Sequence, residues 1–383
     1  MGNEIRVFFA GDFCSKPSTG RISVEEELKG LIQSCDLRVV NFEVPLKPDI
    51  SLPPQKYERF YQNDDVPSFL RGLGFNLFSL ANNHAFDWGE EGFQKTKGVL
   101  GNDSFGAGSY EEAYKVIIRE VNGIRIGFMA LSFAAYAGVF NDVTHHEGLG
   151  CAYINDLRVN HVIIEAKKKV DFLIVLPHDG IEYIDIPMPE TIARYRDFID
   201  YGADGVIGTH PHCPQGWEEY NGKPIFYSLG NFLFNSKDGY DYRATNRPHW
   251  YEGLCVIMTI GHDTLKWEVV NTRNVENVHI AIDNSIERVS HNDLICKYIS
   301  DTESYNCYLN SVCRELGIKD LSIIDKTFHS YDLKDTTLSL IKRWAKLIRK
   351  KDTTDDFRLL RLLTHDSRRS LLLWTLKRNG FLN

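Results

Sequence analysis

Asp204-Gly205-Val206-Ile207-Gly208-Thr209-His210-Pro211-His212 places two imidazoles two residues apart just where an apolar run stops. Proline at 211 biases His210 toward extended backbone, and in an extended chain residues i and i+2 face the same side. The stretch therefore predicts a strand whose carboxyl end presents two convergent nitrogen ligands. A polar loop carrying two hydrogen-bonding histidines is the plainer alternative, and this segment alone does not separate the two.

Four other segments repeat the arrangement. Residues 5–10 are apolar and lead into Gly11-Asp12, and residues 37–40 lead into Asn41-Phe42-Glu43. Residues 75–80 run into Ala81-Asn82-Asn83-His84, and residues 172–176 into Pro177-His178-Asp179-Gly180. Short runs of Val, Ile, Leu and Phe suit strands buried on both faces. Between them, helices are predicted over roughly 24–34, 66–73, 90–100, 155–169 and 190–201. This alternation predicts an α/β domain with largely parallel strands. Ligands of such sheets bind beyond the carboxyl ends of the strands, so Asp12, Glu43, Asn83, His84, His178, His210 and His212 are expected to share one cleft.

The chemistry of that set is consistent. Carboxylates, an amide oxygen and neutral imidazoles suit one or two borderline divalent ions such as Mn, Zn or Fe, whereas calcium wants oxygen ligands throughout. Glu43 or Asp12 could bridge two ions, and an ion pair can activate water and hold phosphoryl oxygens during in-line displacement. Taken singly, Asp12 and Glu43 could instead cap helices or turns, Asn83 could supply a turn, and His178 could be a hydrogen-bonded loop residue. Five such coincidences at strand ends are a poorer account than a shared metal site.

At these residues the chain resembles the CapA family, named for poly-γ-glutamate capsule biosynthesis, whose domain is similar to the calcineurin-like metallophosphoesterases. The resemblance rests on Gly11-Asp12, Asn41-Phe42-Glu43, the run from Ala81 to Gly89, Pro177-His178-Asp179-Gly180-Ile181-Glu182-Tyr183, and the long block from Gly202 to Phe232. These follow the family's order over roughly residues 4 to 235. The resemblance implies a four-layer α/β/β/α sandwich with the metal centre at one edge of the two sheets. It implies that Asp12, Glu43 and His212 line one metal position, and that Glu43, Asn83, His178 and His210 line the other. His84 would then stand just outside the metals to stabilise or protonate a leaving oxygen, with Asp87 fixing its tautomer. In the wider phosphoesterases the first motif is Asp-x-His, but here it reads Asp12-Phe13-Cys14. Either Cys14 serves as a thiolate ligand or the first position is weak or empty. Asp179 stands where the family more often has Trp.

Composition sets bounds. The chain has 383 residues, 43% hydrophobic and 25% charged, as in an ordinary globular protein. No apolar run is long enough to span a bilayer, and Met1-Gly-Asn-Glu-Ile-Arg6 has no secretory h-region; a cytoplasmic location is expected. Eight cysteines without C-x2-C spacing predict reduced thiols. The net charge of −8 is asymmetric: residues 341–378 carry 12 Lys and Arg against 4 Asp and Glu, leaving −16 on the remainder. The acidic body argues against nucleic acid.

A CapA-like domain over 1–275 and a mainly helical region over 276–383 are expected. The basic amphipathic helices near the C-terminus either lie on an anionic membrane or a protein partner or simply pack on the main domain with a solvated face. Hairpins are predicted at Asn122-Gly123 and at residues 261–264. His145 and His146 are read as loop residues or substrate contacts. Asn231, Arg243 and Arg247 are assigned to binding an anionic small molecule or polymer. The expected activity is metal-dependent hydrolysis of a phosphoester or related substrate; the alternative is a non-catalytic, metal-containing assembly factor for an anionic polymer.

Overall fold

The computed structural model describes residues 4–16, 21–51, 59–134, 139–140, 147–235, 247 and 249–312. The first strands are β1 (Ile5–Cys14), β2 (Ser23–Val24), β3 (Leu37–Phe42), β4 (Leu77–Ser79), β5 (Ser104–Phe105) and β6 (Ala107–Gly108). The middle of the chain supplies β7 (Ile117–Val121), β8 (Ile124–Ser132), β9 (Gly150–Cys151), β10 (Phe172–His178), β11 (Gly205–Ile207), β12 (Trp217–Tyr220) and β13 (Lys223–Phe226). Last come β14 (Asn231–Phe234), β15 (Glu252–Ile260), β16 (Leu265–Val275) and β17 (His279–Ile282).

Nine of these strands form one sheet, in the order β2-β17-β16-β15-β1-β3-β4-β5 with β14 also paired to β1. Six form a second, in the order β12-β13-β11-β10-β8-β7. The inner strands β1, β3 and β4 run parallel, as do β8, β10, β11 and β13. The predicted hairpins supply antiparallel pairs, β7 with β8 and β15 with β16. Asn122 and Gly123 both take positive φ, 51° and 80°, as a tight two-residue hairpin turn demands.

The two sheets face each other across a common core. Phe9 on β1 and Phe128 on β8 are both fully buried and lie 6.3 Å apart, ring to ring. Flanking helices bury one stripe each: Leu28 and Ile32 of α1 (Glu26–Gln33), and Val66, Leu70 and Leu73 of α2 (Val66–Leu73). On the other side, Val159 and Ile163 of α5 (Arg158–Lys167) and Tyr195 and Phe198 of α6 (Pro189–Asp200) do the same; α3 (Gly89–Leu100) and α4 (Tyr110–Ala113) lie between. The result is the expected α/β/β/α sandwich.

Residues 1–301 form one compact unit and residues 302–383 another. The first unit continues past 275: β17 pairs with β16, and α7 (Ile286–Ser300) follows. Of the second unit, residues 302–312 are helical. The basic C-terminal segment, His145, His146 and Arg243 lie outside the described residues. Among the described residues, no helix is long and apolar enough to cross a membrane.

Two glycines set the edge from which the site grows. Gly11 occupies an irregularity between β1 and β3, where Ala10 pairs with Val40 and Asp12 with Asn41. A Cβ there would lie 1.9 Å from the carbonyl oxygen of Gly230, and one on Gly208 would lie 2.1 Å from that of Tyr227. Both obstacles are backbone, so neither yields cheaply. The Gly11→Ala substitution is expected to cost roughly 1–3 kcal/mol and to lower the thermal unfolding midpoint; an unchanged midpoint would refute this account of the close approach.

Candidate metal centre

Strand ends deliver the ligand-type residues one by one. Asp12 is the antepenultimate residue of β1, Glu43 directly follows β3, His178 closes β10, and His210 and His212 lie in the loop after β11. All five are buried. Glu43, His178 and His210 bring one ligand atom each to within 4.8 Å of one another, and so do Asp12, Glu43 and His212. The two groups share Glu43, which is the division that the family resemblance implies.

One part of the expected geometry is wrong. His210 is not extended: its φ is 103°, and that of His212 is 57°. Positive φ is sterically costly for a residue with a side chain, and the bias imposed by a following proline is local and weak beside packing. The two rings still converge, with centroids 5.9 Å apart. They do so through a contorted loop, held by the His210 backbone N–H donating to Asp12 Oδ2 at 3.1 Å.

Neighbouring amides fix the set. Asn41 Nδ2 donates to Asp12 Oδ1 at 2.7 Å and lies 3.2 Å from His178 Nδ1. Thr209 Oγ1 stands 3.1 Å from the same nitrogen. His178 Nε2 faces Asn83 Oδ1 at 2.8 Å, so two ligand-type atoms meet there. His212 Nδ1 is 2.9 Å from Asn231 Oδ1, which acts as the acceptor; its Nε2 then faces Glu43 Oε1 at 3.5 Å. A histidine held by a carbonyl acceptor on Nδ1 is the usual posture of a metal-binding imidazole.

Several assigned residues change character in place. Asn231 is fully buried, and its Nδ2 donates to the carbonyls of His212 and Trp250; it orients His212. Cys14 packs with Val44, Phe234, Trp250 and Tyr251 in a small apolar cluster and lies outside both ligand groups. Burial pushes its thiol far above the ordinary range, so a thiolate ligand at this position is not supported. The Arg247 guanidinium stacks over Tyr183 at 3.3 Å, and Tyr183 in turn lies beside His212. Sequence reasoning missed Asn41 as a bridging amide, although it lies in a quoted motif. It also missed Lys16, buried with its ammonium 4.1 Å from the Phe60 ring.

His84 Nδ1 lies 2.9 Å from Asp87 Oδ2. That carboxylate oxygen also accepts the Phe60 backbone N–H at 3.1 Å, and the Phe60 ring meets His84 edge-on. Burial disfavours a charged His84, but the Asp87 carboxylate outweighs it and the pKa is raised above the ordinary histidine value.

Electrostatics test whether a divalent ion fits. Desolvation raises Asp12 to about 6 despite the donors from Asn41 and His210. Desolvation, then the charge of Asp12, raises Glu43 well above the carboxylate range. Neither carboxylate oxygen of Glu43 has a hydrogen-bond partner among the described residues. Burial holds His212 down to about 4 and His178 well below its usual value, so both imidazoles are neutral at pH 7. Neutral nitrogens around two buried carboxylates, one of which, Glu43, receives no N–H or O–H donor among the described residues, are a cation's coordination set. The donor set fits one or two borderline divalent ions.

The sign of the pH dependence follows. Above about 6 Asp12 is ionised, and the imidazoles stay neutral down to lower pH, so protons on the carboxyls, not on the histidines, compete with a cation. Affinity of the metal-free protein for Zn2+ or Mn2+ is expected to fall as pH drops from 7 through about 6, with proton release on binding near pH 6. Calorimetric titration in two buffers of different ionisation enthalpy measures both; an affinity unchanged between pH 7 and 5 contradicts the assignment.

Residues 7–236 match the model of the family described as bacterial capsule synthesis protein PGA_cap. The PGA biosynthesis protein CapA of Bacillus subtilis (strain 168) is 33% identical over 225 residues, 56% of this chain and 58% of that protein. The capsule biosynthesis protein CapA of Bacillus anthracis is 31% identical over 206 residues, 51% of this chain and 49% of that protein. The match thus spans about half the length of these curated relatives. A solved phosphatase structure from Mycoplasma pneumoniae aligns with a TM-score of 0.44 at 18% identity, over 71% of this chain and 94% of that one.

Proposed function

This chain belongs to the bacterial capsule synthesis protein PGA_cap family, and on that premise we propose that it is a metal-dependent hydrolase of a phosphoester or related anionic substrate in capsule or surface-polymer synthesis. The observation that carries this reading is the pair of buried ligand groups that share Glu43. Asp12, Glu43, Asn83, His178, His210 and His212 would hold the ion or ions. When bound, a divalent ion there supplies an activated water and positive charge for the substrate's oxygens.

The protein's own side chains account for the rest. Asn41 holds Asp12 and His178 in register, and Asn231 holds His212. His84, kept cationic further up the pH scale by Asp87, would give its Nε2 proton to the departing oxygen, a contribution typically worth ~10²- to 10⁴-fold. Lys16 and Arg247 supply cationic charge beside His84 and His212, which favours an anionic substrate. Phe133, Tyr183, Phe234 and Trp250 pack around the histidines and keep water from the far side of the imidazoles.

His84→Ala is expected to lower kcat on a generic phosphoester with added Mn2+ or Zn2+ by ~10²-fold or more while bound metal is unchanged. Asp87→Asn removes the charge that raises His84, so the alkaline limb of the kcat/KM profile moves to lower pH. Absence of turnover by wild-type protein carrying stoichiometric metal would defeat the hydrolytic reading. That outcome favours the second reading, a metal-containing assembly factor for an anionic polymer. Its specific support is Cys14, which replaces a histidine and sits in an apolar pocket.

A further inference from the structure

Asp185, His249 and His291 come from three separate segments: the loop after β10, the turn before β15, and α7 (Ile286–Ser300). They bring one ligand atom each to within 4.8 Å of one another. His291 Nε2 lies 3.3 Å from Asp185 Oδ2, and His249 Nε2 lies 3.9 Å from the same oxygen. The imidazole rings are nearly parallel, with centroids 4.3 Å apart and an interplanar angle of 14°. Both Nε2 atoms therefore point to one carboxylate.

Hydrogen bonding does not account for this convergence. His291 Nε2 is shielded from solvent and makes no hydrogen bond, its 3.3 Å approach to Asp185 being misaligned for one. The separation at His249 is too long for a direct bond. Two stacked imidazolium ions at this spacing would also repel each other. His249 is instead fixed from its other side: Nδ1 lies 2.9 Å from Glu252 Oε2. When His249 is neutral with its proton on Nδ1 directed to Glu252, the Nε2 lone pair faces Asp185, the carboxylate–histidine arrangement that supports metal ligation. Burial disfavours a second proton, but Glu252 and Asp185 outweigh it and raise the His249 pKa, so an ion here competes with that proton. Arg288 Nη1 lies 3.3 Å from the same Glu252 oxygen.

We propose that Asp185, His249 and His291 form a divalent-cation site separate from the Asp12–Glu43 centre, with Zn2+ the ion best matched to two imidazoles and one carboxylate. Two nitrogens, one oxygen and an open position for water are a familiar zinc ligand set, and a poor one for calcium or magnesium. The site ties α7 to the two loops that wall the first centre. Asp185 lies two residues from Tyr183, and His249 immediately precedes Trp250; both aromatic rings pack on His212. An ion there pins that wall.

The test measures a difference, so it does not depend on how many ions the first centre takes or on whether the protein is a hydrolase. Metal-stripped full-length chain is dialysed against Zn2+, and bound zinc is counted for wild type, His291→Ala, His291→Gln and Asp185→Asn. Each variant is expected to bind one equivalent less than wild type, and Zn2+ is expected to raise the wild-type melting temperature more than that of His291→Gln. Equal zinc content in wild type and in variants that retain the native circular-dichroism spectrum overturns the proposal.

Discussion

The rest of the structure depends on two carboxylates, Asp12 and Glu43, buried side by side at the ends of adjacent parallel strands. Two like charges ~4 Å apart repel by roughly 4 kcal/mol at an effective dielectric of about 20, before either has been removed from water. A fold whose net stability is on the order of 10 kcal/mol does not keep such a pair ionised without compensation. Protons supply it at low pH; at neutral pH a bound cation would. The neighbouring groups suit the cation: burial holds the His178 and His212 imidazoles neutral, and each ring has its Nε2 within 4 Å of Glu43 Oε1. The amides of Asn41 and Asn231 fix directions without adding charge.

That requirement explains features of the backbone that would otherwise be liabilities. His210 and His212 occupy positive φ, and Gly11 and Gly208 allow main chains to approach where any Cβ would collide. Strain of this kind persists only where surrounding packing over-determines it. Here the sandwich does so from both sheets: β14 lies parallel to β1 at Asp12, and Thr209 bridges to β10 at His178. The ligand loops are thus extensions of a rigid scaffold, which suits a site that must hold its ligands near one geometry in the presence or absence of an ion.

Most of this was legible in the chain because the signals are local. Alternating apolar runs and helical periods marked the central strands and helices to within a few residues, and the residue types after each run marked the polar side chains that the fold brings together. What stayed hidden was non-local. Nothing in the sequence near Asn231 says that its amide turns inward to His212, since that contact depends on β14 returning to lie beside β1. Cys14 offered a thiol at a motif position, but its apolar neighbours come from Val44, Phe234, Trp250 and Tyr251. The extended geometry inferred for His210 from Pro211 failed because a one-residue steric preference is weaker than a buried hydrogen bond to Asp12. Asp185, His249 and His291 share no spacing motif and meet only because α7 folds back.

Strand β1 sits in the middle of its sheet, yet one of its flanking partners, β15, is encoded about 250 residues later. Sheets closed by such distant pairings assemble slowly, because loop-closure entropy is lost before the contacts repay it. During synthesis the ribosome releases Val7, Phe8 and Phe9 long before Met258, Ile257 and Val256 exist to pair with them. Until β15 emerges the nascent chain therefore carries a hydrophobic, unpaired strand edge, the kind of surface that recruits chaperones or invites aggregation. Completion of this sandwich waits for the strands between Glu252 and Ile282, and the loops around Asp12 acquire their shape only when it closes.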